Sequence, residues 1–166
     1  MRYYTTYDSP IGQLTLTSDG KSLTGLWMEG ESGGDSALRT HICADLPVFD
    51  QTIAWLNAYF TAEPLPELPP LSPEGTAFQH AVWQLLLEIP CGATTTYGAL
   101  AQRIAQQRGS RMSAQAIGGA VGHNPISILV PCHRVIGADG SLTGYAGGLE
   151  RKMWLLAHEQ NVSRHQ

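Results

Sequence analysis

A thiol, an imidazole and a guanidinium stand side by side at Cys132-His133-Arg134, inside a run that is otherwise apolar: Ile128-Leu129-Val130-Pro131 before, Val135-Ile136 after. Those flanks predict a buried strand whose middle is not made for packing. A core cysteine is ordinarily an inert small hydrophobe, but a cationic or hydrogen-bonding neighbour that favours its thiolate turns it into a nucleophile. Successive strand side chains point to opposite faces, so His133 would reach the sulfur through a water or a bend. An arrangement of nucleophile, base and orienting group needs one more member. Glu159 lies near the end of the last helical segment, where a carboxylate opposes the helix dipole unless it is paired, and His133 is its natural partner.

The elements that must position these groups can be read from residue 74 onward. Thr76-Ala77-Phe78-Gln79 is a capping-box pattern, and Phe78, Val82, Leu85, Leu86 and Ile89 then share one helical face up to Pro90-Cys91-Gly92. Cys91, without a histidine beside it, reads as structural. Thr96 precedes a second helix with Tyr97, Leu100, Ala101 and Ile104 at helical spacing, and a basic connector with Arg108 and Arg111 leads to Ser113, a plausible N-cap for a third helix from Ala114 to about His123. Two helices joined by a turn suggest a helix-turn-helix. The third carries Gly118, Gly119 and Gly122, each costing about 1 kcal/mol relative to alanine in a helix interior. Such small residues admit a second backbone, which is either DNA or a packed neighbouring helix. Asn124-Pro125 ends this helix, and Asn124 can brace the following turn through side-chain to main-chain hydrogen bonds. Asp139-Gly140 marks a tight turn, Gly144–Gly148 a loop around one aromatic, and the final helix is expected to bury Leu149, Met153, Trp154 and Leu156.

The first part reads differently. Tyr3–Tyr7, Leu14–Thr17 and Leu23–Met28 are short β-prone runs separated by Asp8-Ser9-Pro10 with Gly12 and by Ser18-Asp19-Gly20, which predicts an antiparallel meander. Phe49, Ile53, Leu56 and Phe60 fall at helical spacing and would cover one sheet face. Five of the ten prolines lie between Pro64 and Pro73, an extended connector that could also add an edge strand. The division is therefore residues 1–73, a scaffold with its linker, and 74–166, which holds the chemistry.

Composition bounds the partners. With 166 residues and 43% hydrophobic content the chain can build real cores. No targeting segment is visible and no apolar run approaches the roughly twenty residues of a membrane span, so a cytoplasmic protein without membrane contact is expected. Cys43, Cys91 and Cys132 are odd in number and irregularly spaced, against both a disulfide framework and a CxxC metal site; His41 and Cys43 lack two further ligands. Neither metal nor cofactor is expected. The net charge of −4 excludes an indiscriminate electrostatic binder of nucleic acid, yet residues 1–73 hold three basic against nine acidic side chains and residues 74–166 seven against five. Only the second part suits DNA.

Pro131-Cys132-His133-Arg134-Val135 resembles the active-site signature of the O6-alkylguanine-DNA alkyltransferases, also called methylated-DNA-protein-cysteine methyltransferases. Asn124-Pro125, Gly144-Tyr145-Ala146-Gly147-Gly148 and the stretch from Lys152 to Glu159 also match that family's pattern. The resemblance is strong from Gly75 to Glu159 and covers the earlier residues only in general plan. It implies an α/β (α+β) protein, with a small N-terminal RNase H-like sheet-plus-helix domain joined to a C-terminal winged helix-turn-helix-like domain. The implied activity is suicidal DNA repair: the alkyl group of O6-methylguanine, and of O4-methylthymine, passes from double-stranded DNA to Cys132 of a monomer, once per molecule.

The resemblance also implies roles. His133 and Glu159 would activate Cys132, Tyr97 would help rotate the nucleotide and give a proton to the leaving guanine, and Asn124 would tie the recognition helix to the active-site loop. Main-chain groups of Cys132, Val135 and Ala146 would read the base beside a wall formed by Tyr145. Ser113, Ala114, Gln115, Gly119, Arg111 and Arg134 would contact DNA, approached through its minor groove. Base flipping is required in any case, since an O6 substituent is out of a buried thiolate's reach while the base is stacked. Gln115 stands where many relatives have an arginine finger, unless the connector before Ser113 shifts the register and leaves it an ordinary exposed residue. Two rival classes are a cysteine hydrolase with the same three groups and full turnover, and a damage-binding relative without an acceptor thiol.

Overall fold

The computed structural model describes residues 1–164, which form two compact units. The first comprises Met1–Glu74 together with Pro125–Ser127. Its strands β1 (Tyr3–Ser9), β2 (Gly12–Ser18) and β3 (Leu23–Met28) form the expected antiparallel meander, with Ser9 facing Gly12 across the first turn and Leu16 between Thr5 and Leu26. Helix α1 (Ser32–Thr40) was not legible, because Ser-Gly-Gly-Asp-Ser reads as a loop. It forms because Gly33 and Gly34 seat it directly on Trp27, where an added Cβ would stand 2.7 and 2.8 Å from that side chain. Strand β4 (Ile42–Cys43) then pairs parallel to β1, giving the order β3-β2-β1-β4.

Helix α2 (Pro47–Phe60) lies where its apolar spacing placed it, but Ile53 and Phe60 are only half-buried, and the buried face runs through Val48, Phe49, Thr52, Trp55, Leu56 and Tyr59. The proline-rich connector does add an edge: Leu23 donates to the Pro70 carbonyl and accepts from Ser72, both at 2.8 Å. On β3, Leu26 likewise donates to Pro125 and accepts from Ser127, with Ile126 fully buried.

The second unit comprises Gly75–Asn124 and Ile128–Gln166. Helix α3 (Ala77–Leu86) carries the capping box, with Thr76 and Gln79 bonded reciprocally, and its Trp83 donates 2.8 Å to the Ala120 carbonyl. Strand β5 (Thr95–Thr96) leads into helix α4 (Tyr97–Arg108), which Thr96 caps at its start and Gly109, at φ 70°, closes in the left-handed conformation that glycine adopts without steric cost. Ser113 caps helix α5 (Ala114–Gly122) through Ala116. Strand β6 (Val135–Ile136) pairs parallel to β5, and helix α6 (Leu149–Arg164) closes the unit. Among the described residues no helix is long and apolar enough to cross a membrane.

Two expectations fail here. The strand predicted over 128–136 is broken: Ile128 sits at φ 72°, unusual for a β-branched residue, and Cys132–Arg134 form a 3-10 turn, so only Val135–Ile136 are extended. The apolar face assigned to the last helix is also wrong. Leu149 and Met153 are exposed, while Lys152, Leu155 and Glu159, spaced three and four apart, are buried. Charges occupy that inward face because it packs on the turn that holds Cys132, where they have partners.

Candidate active site

The turn that carries Cys132 is fixed from both sides. Pro131, at φ −82° and ψ 65°, makes a tight bend in which the Cys132 amide donates 2.8 Å to the Val130 carbonyl. Asn124, buried at the end of α5, donates its side-chain amide to the same carbonyl at 2.8 Å. The helix and the turn thereby share an anchor, and Cys132, 6% exposed, opens into a small pocket lined by Val121, Gly122, Asn124, Gly144, Tyr145 and Ala146.

The bend that places His133 is helical rather than extended, which turns its imidazole inward to complete burial. Its Nε2 lies 2.6 Å from Oε2 of Glu159. Arg134 grips the same carboxylate, Nε to Oε1 at 2.7 Å and Nη2 to Oε2 at 3.0 Å, and spends a third donor on the Ile89 carbonyl. Burial alone would raise the Glu159 pKa, but hydrogen bonds and charge from His133 and Arg134 outweigh it and hold the carboxyl far below its usual range. Burial pushes the His133 pKa down, against the pull of Glu159. The imidazole is therefore neutral, its one proton is on Nε2 facing an ionised acceptor, and Nδ1 is a lone pair with no hydrogen-bond partner among the described residues. A buried imidazole with an unprotonated Nδ1 is the result.

Arg134 was expected among the DNA contacts; its side chain is 8% exposed, and it directs three donors inward to Glu159 and Ile89. Val135 is fully buried, and its carbonyl accepts 2.7 Å from Nζ of Lys152. Lys152 and Thr143 are participants that sequence reasoning missed. The ammonium also donates 3.2 Å to the Thr143 carbonyl, and the Thr143 hydroxyl donates 2.8 Å to the phenol oxygen of Tyr97. The available signal was the spacing of Lys152, Leu155 and Glu159 on one face, masked by the assumption that a lysine faces water.

Helix α5 leaves open space beside two of its three glycines. A Cβ at Gly119 or Gly122 would meet nothing within 4 Å, so no neighbouring helix accounts for either; at Gly118 it would only touch the Tyr97 ring at 3.9 Å. Ser113, Ala114, Gln115 and Gly119 are exposed, as is Arg111, while Arg108 lies over the Phe78 ring. Cys91 is half-buried, and burial followed by the Glu159 charge raises its thiol pKa; Cys43 is exposed, and no disulfide joins the three.

A pocketed thiol, a neutral buried histidine and an ionised glutamate are the three groups that a thiol nucleophile needs, and they lie on a unit whose capped helix presents a side-chain-poor open face. Residues 77–161 match the family model for the DNA-binding domain of 6-O-methylguanine DNA methyltransferase, and residues 2–72 match its ribonuclease-like domain. The methylated-DNA–protein-cysteine methyltransferase of Haemophilus influenzae is 47% identical over 159 residues, 95% of this chain and 86% of that protein. The crystal structure of Mycobacterium tuberculosis O6-methylguanine methyltransferase superposes with a TM-score of 0.83 at 48% identity, covering 97% of this chain and 94% of that one. The structure of the M. tuberculosis protein OGT in complex with DNA gives 0.83 at 47% identity, covering 96% and 94%. The chain belongs to the 6-O-methylguanine DNA methyltransferase family, and its two-domain fold is the one expected for it.

Proposed function

We propose that this protein repairs alkylated DNA by moving the alkyl group from O6 of guanine onto Cys132, irreversibly and once per molecule. The observation that carries this assignment to named residues is the tautomer of His133: with Nε2–H given to Glu159, Nδ1 is left as the base that takes the Cys132 proton through a water. The thiolate sulfur bonds to the alkyl carbon as the carbon–O6 bond breaks, and its electron pair stays with guanine. A thioether has no carbonyl for water to attack, so the site does not turn over. O4-methylthymine, with an alkyl ether of the same kind, is a second substrate.

Double-stranded DNA approaches the open face of α5, where Gly119 and Gly122 admit a phosphate backbone and Gln115, with Ser113, Ala114 and Arg111, flanks the gap left by the flipped base. Tyr145 and Ala146 wall the pocket, with main-chain groups of Cys132, Val135 and Ala146 reading the base and Tyr97 assisting its rotation. The protein works as a cytoplasmic monomer without a cofactor.

Intact-mass measurement after incubation with excess methylated duplex should show the addition of one methyl group and no more, mapped to Cys132, and none in Cys132→Ser. An adduct on Cys91 or Cys43, or continued release of repaired DNA beyond one equivalent, would overturn the assignment and favour a hydrolase.

A further inference from the structure

Resting on the reading of Tyr97 as a proton donor, we propose that Thr143 is a positioning residue for alkyl transfer, setting the direction of the Tyr97 phenol proton and holding that phenol in register with the pocket loop. Three contacts carry this. Lys152, its side chain wholly buried, joins the carbonyls of Val135 and Thr143 through one ammonium, so the residue before the pocket loop is pinned to the strand that follows Cys132. Thr143 then reaches out with its hydroxyl and donates 2.8 Å to the phenol oxygen of Tyr97. Tyr97 is the first residue of α4, a Cβ at Gly118 of α5 would touch its ring, and its phenol is bonded to the residue directly before Gly144, Tyr145 and Ala146 of the pocket lining.

The direction of that hydrogen bond matters chemically. Either hydroxyl of this 2.8 Å pair can donate, and when Thr143 donates the phenol oxygen keeps its own hydrogen for another acceptor. As the Cys132 sulfur bonds to the alkyl carbon and the carbon–O6 bond breaks, guanine gains an electron pair and takes the Tyr97 proton on a ring nitrogen. Thr143 then stabilises the phenolate left behind. The proton lost by Cys132 rests on His133 and returns to Tyr97 through water, so the thiol proton ends on guanine and the balance is closed. Valine at position 143 keeps the shape of the side chain and removes only the donor.

The test is a double-mutant cycle in single-turnover kinetics with a free O6-alkylguanine base and with methylated duplex, read by intact mass. Thr143→Val should slow transfer about three- to tenfold, the range of one hydrogen bond to a group that gains charge. Thr143→Ser should restore the rate, and Thr143→Val should add nothing in a Tyr97→Phe background. A Thr143→Val protein as fast as wild type, or one slowed equally with and without the Tyr97 hydroxyl, would overturn the proposal. A Tyr97→Phe protein with wild-type rate would remove the donor on which it rests, while absence of any adduct in the wild type would instead strike the transfer reaction itself.

Discussion

Glu159 does two jobs with one carboxylate, and they set different penalties for its loss. A glutamate that merely oriented an imidazole could be exchanged for an amide at little cost to folding. This one also neutralises Arg134, which is buried on the same two oxygens. Glu159→Gln leaves that guanidinium buried without its counter-charge, so a loss of about 3 kcal/mol in unfolding free energy is expected alongside a transfer rate at least tenfold lower, measured by denaturant melts and single-turnover kinetics. A slower but fully stable variant would mean that Arg134 finds another partner. His133 makes the pH dependence one-sided. Burial depresses its pKa, with Glu159 pulling upward and the Arg134 and Lys152 charges reinforcing the fall. An imidazole whose folded-state pKa lies below its unfolded value contributes stability fully above about pH 6.5 and loses it as the pH falls from there, because the unfolded chain takes the proton first. Thermal midpoints should therefore be level between pH 7 and 8 and decline below about 6.5, and His133→Gln should flatten the first part of that decline. Glu159, depressed as well, adds its own loss only below about pH 4.3.

Helix α5 sacrifices stability for an unobstructed surface. Gly119 has open space where a side chain would stand, so Gly119→Ala should raise helix stability by about 1 kcal/mol with nothing to clash against. If DNA approaches as proposed, the same methyl would stand between the helix and a phosphate backbone. A higher melting temperature combined with slower repair of methylated duplex, and an unchanged rate with a free alkylguanine base, is the expected pair of results. Faster duplex repair would show that the open face is not where DNA lies. Gln115, exposed on the first turn of α5, belongs to the same surface. Gln115→Ala should slow duplex repair and leave the free-base reaction nearly unaltered, since only the duplex needs a base flipped; equal effects on both would remove Gln115 from the gap.

At the scale of the chain, the two units are interleaved rather than consecutive. The polypeptide returns to the first unit for three residues, Pro125–Ser127, between the end of α5 and the turn of Cys132. There Ile126 is fully buried and its neighbours complete the β3 edge through Leu26. A fragment beginning at Gly75 would expose Ile126 and unpair the backbone on either side of it, two residues from the strained Ile128. Such a fragment should melt at lower temperature than the whole chain and transfer more slowly, as calorimetry and single-turnover assays on both would show. A fragment equal to the full protein in both would mean that the first unit does not support the site.

Local sequence determined a good part of this protein. The meander, the capping box at Thr76 and the caps at Thr96 and Ser113 each follow from neighbouring residues, because turns, caps and helical faces are decided within a few positions of the chain. The signature around Cys132 gave the family. Tertiary structure decided what depends on distant partners. Burial of Lys152 and Arg134 could not be read from their types, since a charge is buried only where carbonyls or a carboxylate from elsewhere satisfy it, and Glu159, Ile89, Val135 and Thr143 are brought to them by folding. Helix α1 needed Trp27 beneath its glycines, and the Cys132 segment became a turn because Asn124 and Pro131 outweigh its strand-forming residues. The tautomer of His133, on which the proposed chemistry rests, is a property of burial and of one 2.6 Å contact across 26 residues of chain.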